Sequence, residues 1–183
     1  MRYKNLIFFI LLFFYLNAQE DLSYQSPPEK ILELVDVALP PRVLIDEKKE
    51  YMVYLYRDNY KTIEQLSEKE LRLAGLRINP KKNIGSRISY YSNLKISLIS
   101  DEDSNIINVK GLPKNPQISN IKWSPDQNMI AMTNTTKEGV ELWVLDLKKA
   151  KIKKIVGPRL NANLGSVFSL SLIHISEPTR PYL

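Results

Sequence analysis

Apolar and polar positions alternate with a period of two along several short stretches of this chain, the pattern of strands with one wet face. The clearest run is Leu94-Lys95-Ile96-Ser97-Leu98-Ile99, and Ile106-Ile107-Asn108-Val109 returns after three acids. Upstream, Arg42-Val43-Leu44-Ile45-Asp46 and Tyr51-Met52-Val53-Tyr54-Leu55-Tyr56 flank a charged turn. Aromatic and β-branched residues suit a pleated surface, so these two runs predict a β-hairpin. One helix is expected over residues 62–73, from apolar Ile63, Leu66, Leu71 and Leu73, with Ser67 and Glu70 as a capping box and Gly75 as a left-handed stop. A shorter helical turn can follow Pro27-Pro28 from Glu29.

The most informative segment begins Trp123-Ser124-Pro125-Asp126-Gln127-Asn128-Met129-Ile130-Ala131-Met132-Thr133. It continues through Glu141-Leu142-Trp143-Val144-Leu145 to Ile152-Lys153-Lys154-Ile155. Pro125 fixes one backbone angle and Asp126 can bond its own turn amides. The sequence predicts an antiparallel meander over residues 120–156, with Trp143 on the third strand. Four short strands in roughly 40 residues make one propeller blade. Asp46 before Tyr51-Met52-Val53 echoes Asp126 before Ile130-Ala131-Met132, a spacing of about two blades. Phe168-Ser169 is a candidate third start. The expected fold class is all-β: a partial β-propeller of about two to three blades over residues 43–169, with one short helix. An extended, Pro-rich lead-in covers residues 19–42.

Composition then removes classes of function. The 183 residues contain no Cys and one His, which excludes disulfide scaffolds, thiol nucleophiles and His-rich metal sites. Nothing in the sequence calls for a cofactor. Eleven Pro against six Gly, with ten Tyr, favour extended, turn-rich structure. The formal net charge is +6, of which Arg2 and Lys4 supply two. The surplus of about four left in residues 19–170 does not by itself indicate nucleic acid. Lys148, Lys149, Lys151, Lys153 and Lys154 are densest, but no aromatic residues interleave with them, so they read as a solvated hairpin. Asp101-Glu102-Asp103 lacks the glycine and the bidentate glutamate of a calcium loop and reads as a hairpin tip. Asn134-Thr135-Thr136 is a glycosylation sequon by pattern, relevant only to a eukaryotic secretory route.

Both ends stand apart from the fold. Residues 1–18 read as a signal peptide, with Arg2 and Lys4 ahead of an apolar run at residues 6–16 and small Ala18 before Gln19. An uncleaved anchor is the alternative, although the run falls short of the roughly 20 residues of a membrane span. The expected location is therefore exported, periplasmic or extracellular, with no stable membrane span after cleavage. At the other end, residues 170–183 include Ser171-Leu172-Ile173-His174-Ile175-Ser176-Glu177-Pro178-Thr179-Arg180-Pro181-Tyr182. That string resembles a translated sequencing-library adapter, so the only histidine, His174, carries no catalytic weight.

Ser-Pro-Asp turns followed by Leu142-Trp143-Val144-Leu145-Asp146 resemble the propeller of the prolyl oligopeptidase family of serine peptidases. More specific is Pro27-Pro28 with Ile31-Leu32-Glu33-Leu34-Val35-Asp36. It is joined by Glu70-Leu71-Arg72-Leu73-Ala74-Gly75-Leu76-Arg77-Ile78, Asn83, Ser86-Arg87 and Tyr90-Tyr91. Together with Gly111-Leu112-Pro113 and Leu160-Asn161-Ala162, these are similar to the N-terminal region of the glutamyl endopeptidase branch. The resemblance implies an N-terminal propeller joined to a C-terminal α/β-hydrolase domain, where the nucleophile occupies a Gly-x-Ser-x-Gly elbow. No such elbow occurs here, and Gly85-Ser86 and Gly165-Ser166 lack the flanking glycine pattern. No catalytic, cofactor or metal residue is therefore transferred. The chain reads as the propeller fragment of an exported serine peptidase, inactive alone, whose parent takes peptide substrates. A non-enzymatic envelope propeller that binds a partner is the alternative, and a free-standing small β-domain is the third reading.

Overall fold

The computed structural model describes residues 25–100, 105–171 and 177–178. The leader, the Asp101-Glu102-Asp103 loop and His174 lie outside the described residues. The chain divides into two compact units, residues 1–37 and 38–183. In the first, a helix spans Glu29–Val35. Pro28 precedes it, where a missing N–H costs nothing, and the Pro28 carbonyl accepts from the amides of Ile31 (2.8 Å) and Leu32 (3.1 Å).

The second unit is built on two four-stranded antiparallel sheets. The first contains β1 (Arg42–Ile45), β2 (Tyr51–Tyr56), β6 (Asn93–Leu98) and β7 (Ile107–Asn108), in the order β1-β2-β6-β7. The second is a plain meander of β8 (Ile118–Trp123), β9 (Met129–Thr135), β10 (Val140–Asp146) and β11 (Lys151–Leu160). The expected hairpin and the expected meander are both present, and Trp143 lies on β10. Between β2 and β6 sits an insert, residues 57–92, which carries β3 (Leu71–Leu73), β4 (Leu76–Asn79) and β5 (Ile84–Gly85) as a third small sheet. At the equivalent place in the second sheet, four residues suffice between β9 and β10. The fold is thus all-β and propeller-like.

The expected helix over residues 62–73 is not formed. Only Ile63–Leu66 is helical, and Leu71–Leu73 is strand β3. The capping box exists but is displaced: Thr62 and Gln65 exchange the reciprocal bonds, at 3.2 Å each way. Glu70 is drawn instead to arginines. Gly75 stops no helix. With Ala74 (φ 44°), Gly75 (φ 89°) forms the two-residue turn of the β3–β4 hairpin, where both central residues need positive φ. Among the described residues there are therefore two short helices rather than one.

The internal repeat is present in a corrected register. The Asp46 amide bonds the carbonyl of Tyr51, and Asp46 Oδ1 accepts from the Tyr51 amide at 2.8 Å. The Ser124 amide bonds the carbonyl of Met129, and Ser124 Oγ accepts from the Met129 amide at 2.9 Å. Three residues on, Lys49 (φ 57°) and Gln127 (φ 61°) are both left-handed. Asp46 thus corresponds to Ser124, not to Asp126, because the group that closes the turn is the one at its first position. The two turns also touch: Lys48 Nζ donates to the Asp126 carbonyl at 2.8 Å.

Alternation along the strands separates two cores. One face of the second sheet gives Ile130, Met132 and Leu145 to a cluster with Val53, Leu55, Leu94 and Ile96 of the first sheet. The opposite face gives Ala131, Val140, Leu142 and Val144 to a cluster with Ile84, Leu160, Val167 and Phe168. Strands with both faces buried need apolar residues on both, which explains the near-continuous run Leu142-Trp143-Val144-Leu145. Ile84 reaches this second cluster from the insert, which a parallel bridge to Ala162 holds in place. β12 (Phe168–Ser169), the candidate third start, pairs with β13 (Glu177–Pro178), which falls in the adapter-like segment.

Candidate functional site

Antiparallel topology puts the insert, the residues 109–117 connection and the residues 136–139 loop at one end of the two sheets. The turns at Asp46 and Ser124 lie at the other end. An open cleft of about 950 Å³ lies at the first end, with Glu68, Lys82, Gln117, Glu141, Trp143 and Lys154 among its walls. Three polar nodes are built around carboxylates there.

The first centres on Glu70. Its Oε1 receives Arg77 Nη1 at 2.7 Å and Arg72 Nε at 3.1 Å. Its Oε2 receives the Ser86 hydroxyl at 2.6 Å, with Arg87 Nε at 3.7 Å. The Ser86 hydroxyl above all, and then Arg77, hold the Glu70 carboxyl down to about 2, so it is ionised at any working pH. The hairpin makes this possible: Glu70 immediately precedes β3, Arg72 on β3 pairs with Arg77 on β4, and the β4–β5 pairing returns Ser86 beside them.

The second node joins Glu68 to Lys82 Nζ and to Asn79 Nδ2, at 2.5 Å each. Asn79 is buried, and its Oδ1 accepts from the amides of Lys81 and Lys82, which shapes the turn into β5. The third node is Glu141, 6% exposed, which accepts from Trp143 Nε1 at 2.8 Å, Lys154 Nζ at 3.1 Å and Asn134 Nδ2 at 3.3 Å. A bulge at Ile155 follows the regular pairing of Lys154 with Trp143. Lys154 therefore stays on the Trp143 face, its ammonium 6.0 Å from the ring centre. It differs in this from exposed Lys151 and Lys153, which match the expected solvated hairpin.

Around these nodes, Lys137 bonds Glu64 at 2.9 Å across exposed surface, which lowers the Glu64 carboxyl and raises the Lys137 ammonium. Burial raises the Tyr90 phenol. Asn134 of the sequon is 4% exposed, and its Oδ1 accepts the Gln117 amide at 2.9 Å. Its amide is therefore turned inward in the folded chain, where Nδ2 donates to Glu141.

The arrangement can bind and orient charged groups. The Ser86 hydroxyl is spent on Glu70, and Ser166 donates to the Phe168 carbonyl at 2.8 Å and accepts from Lys122 Nζ. None of the described His, Asp and Glu residues group closely enough to hold a metal ion. No described helix is long and apolar enough to cross a membrane. Sequence reasoning missed Glu70 as a hub. The available signal was the spacing Glu70-x-Arg72, which places both side chains on one face of a strand, with Arg77 and Ser86-Arg87 a hairpin's length away.

The Glu70–Ile78 block and Ser86-Arg87, which carried the family resemblance, are the residues that build this hub. Comparison with known proteins agrees in direction. The chain is 26% identical over 142 residues to a probable chloroplastic glutamyl endopeptidase of Oryza sativa subsp. japonica, covering 73% of this chain and 15% of that protein. It is 28% identical over 133 residues to a probable chloroplastic glutamyl endopeptidase of Arabidopsis thaliana, covering 69% and 14%. No family model matches, and no solved structure matches. The chain spans about a seventh of the length of these curated relatives, and its similarity to them is one of peptidase-related sequence.

Proposed function

We propose that this chain is the propeller portion of an exported serine peptidase related to glutamyl endopeptidases. Hydrolysis would be carried by an α/β-hydrolase domain encoded with it, while the blades and their insert shape the approach of peptide substrates. The observation that carries this reading is the similarity over about 70% of the chain to two glutamyl endopeptidases several times its length. The blade-like sheets and the polar cleft at the insert end suit a part that screens substrates rather than one that cuts them. Acyl transfer needs a serine, a base to activate it and donors for the oxyanion, and the chain's one imidazole lies in the adapter-like segment.

Extending the source DNA beyond residue 169 tests the proposal. Continuation into an in-frame Gly-x-Ser-x-Gly region supports it; a native stop codon overturns it in favour of a binding propeller. The chain itself, incubated with a fluorophosphonate probe, is expected to remain unlabelled. Labelling of one serine that is lost in His174→Ala would overturn the reading from the other side. Fractionation of cells expressing the chain with a C-terminal epitope tests export, expected as a shortened product outside the cytoplasm.

A further inference from the structure

The +4 charge surplus of residues 19–170 sits in the insert. Residues 57–92 hold eight Lys and Arg against four Asp and Glu, and the other residues of that range balance to zero. Within the insert, the positive charge is organised. Three arginines share the single Glu70 carboxylate, while Glu68 is matched by Lys82. Arg72 and Arg87 both approach Glu70 through Nε, and their side chains are 73% and 68% exposed. Their terminal guanidinium nitrogens are therefore the parts left for solvent. Both arginines, with Lys61, line an open groove of about 540 Å³. Lys61 Nζ is itself anchored on the Ser86 carbonyl at 3.3 Å.

We propose that this groove binds a carboxylate-rich peptide segment across Arg72 and Arg87. Cations crowded on one carboxylate repel one another, and a further anion relieves that repulsion. Because Glu70 already holds the guanidinium groups, less side-chain entropy is lost when a ligand docks. Arginine's planar fork suits carboxylates, which it grips by two parallel N–H···O bonds. Glu70 gathers Arg72 and Arg87 at their Nε ends, while their outer ends and Lys61 line an open groove whose walls also include Glu68, Glu70 and exposed Leu66. That shape favours an extended acidic peptide with an apolar residue over a single small oxyanion. The proposal rests on the insert's own geometry and does not depend on the peptidase reading, since its test reads binding alone.

Calorimetric titration of the full chain decides it, with an acetylated, amidated hexapeptide of four glutamates and two leucines. The same peptide with glutamines for glutamates, and inorganic phosphate, serve as comparisons. The expected result is saturable binding that weakens about tenfold with the glutamine peptide or when salt rises severalfold. Arg72→Gln with Arg87→Gln should weaken it about tenfold, and Lys151→Gln with Lys153→Gln should leave it unchanged. Circular dichroism of each variant checks the fold. Should the glutamine pair unfold, Arg72→Lys with Arg87→Lys keeps the charge and is expected to bind more weakly than the parent, having lost the fork. No binding, equal binding of both peptides, displacement of the acidic peptide by an equal concentration of phosphate, or retained affinity without both arginines would each overturn the proposal.

Discussion

The two four-stranded sheets share a topology and a turn, yet they are covered differently. In the β8–β11 sheet, alternate residues of β9 enter separate cores, so Ile130 and Met132 are 0% and 1% exposed on one face while Ala131 is 1% exposed on the other. Matching Asp46 with Ser124 makes Val53 the counterpart of Ala131, and both are buried against the sheet or segment that follows. The counterparts of Ile130 and Met132 are Met52 and Tyr54, which are only half-buried. On that same face, Val43 and Ile45 are 42% and 55% exposed. The same fold unit thus pays out very different hydrophobic stabilisation depending on whether one or both faces are covered. The connections differ too: the first sheet has 36 residues between its second and third strands, and those residues supply one part of the polar cleft's wall.

The largest expected effect breaks or upholds this contrast in cover. Ile130→Ala removes a fully buried side chain and should destabilise the chain by about 3 kcal/mol in denaturant unfolding, against about 1 kcal/mol for Met52→Ala. Equal losses would mean that the first sheet's outer face is as covered in solution as the second's.

The next effect compares the two connections. Gly139 has φ 149°, and a Cβ there would lie 2.9 Å from the Pro158 carbonyl oxygen. Gly139→Ala should cost about 2–3 kcal/mol, since both backbone and contact are strained. Gly75 also has positive φ, 89°, but a Cβ would meet nothing within 4 Å. Gly75→Ala should cost only about 1 kcal/mol, read as a midpoint shift. A reversal of that order would show the insert hairpin to be the more tightly held connection.

The turn correspondence makes a sharper test. Asp46→Ala and Ser124→Ala each remove the side-chain acceptor that closes a turn, and each should cost about 1 kcal/mol. Asp46→Ser should be close to neutral, because serine does the same work at position 124. It also removes a buried Oδ2 that has no hydrogen-bond partner. A loss for Asp46→Ser as large as for Asp46→Ala would refute the register.

The smallest effect is the pH dependence of the insert. Glu70 is held at about 2, below its ordinary 4.5, by Ser86 and the arginines. A depressed carboxyl contributes stability that is present above pH 4.5 and is lost as pH falls through about 2. Because Glu70 is solvent-accessible, that contribution is screened and small. The expected outcome is faster amide exchange in β3 and β4 as pH falls across that range, after correction for intrinsic rates. Asp126, in the β8–β9 turn, is likewise held at about 2 by the Ser124 hydroxyl and then Asn128, so the second sheet has its own acid sensitivity, and Glu70→Gln should abolish the change in β3 and β4 alone. An unchanged pH profile in Glu70→Gln would assign the acid sensitivity to another group.

Local chemistry alone determined much of this protein. Ser124-Pro125-Asp126 sets a turn through a fixed angle and a short polar side chain, and the apolar runs on either side of it can only be strands. These features made the β1–β2 hairpin, the β8–β11 meander and the place of Trp143 legible from residues adjacent in sequence. What failed was the reading of residues 62–73, where helical spacing and a capping pattern were both present. Four residues between Thr62 and Ser67 obey them, but beyond Ser67 partners 7 to 17 residues away outbid the local signal. Arg77 and Ser86 draw Glu70 into a hairpin, and a single turn of helix has too few bonds to resist. The repeat was visible as an echo, yet its register was hidden, because aspartate and serine close the same turn with different atoms. The candidate site was least legible of all. Glu70, Arg72, Arg77, Ser86 and Arg87 are ordinary surface residues in one dimension, and only the folding of β3, β4 and β5 onto one another makes them a single charged hub.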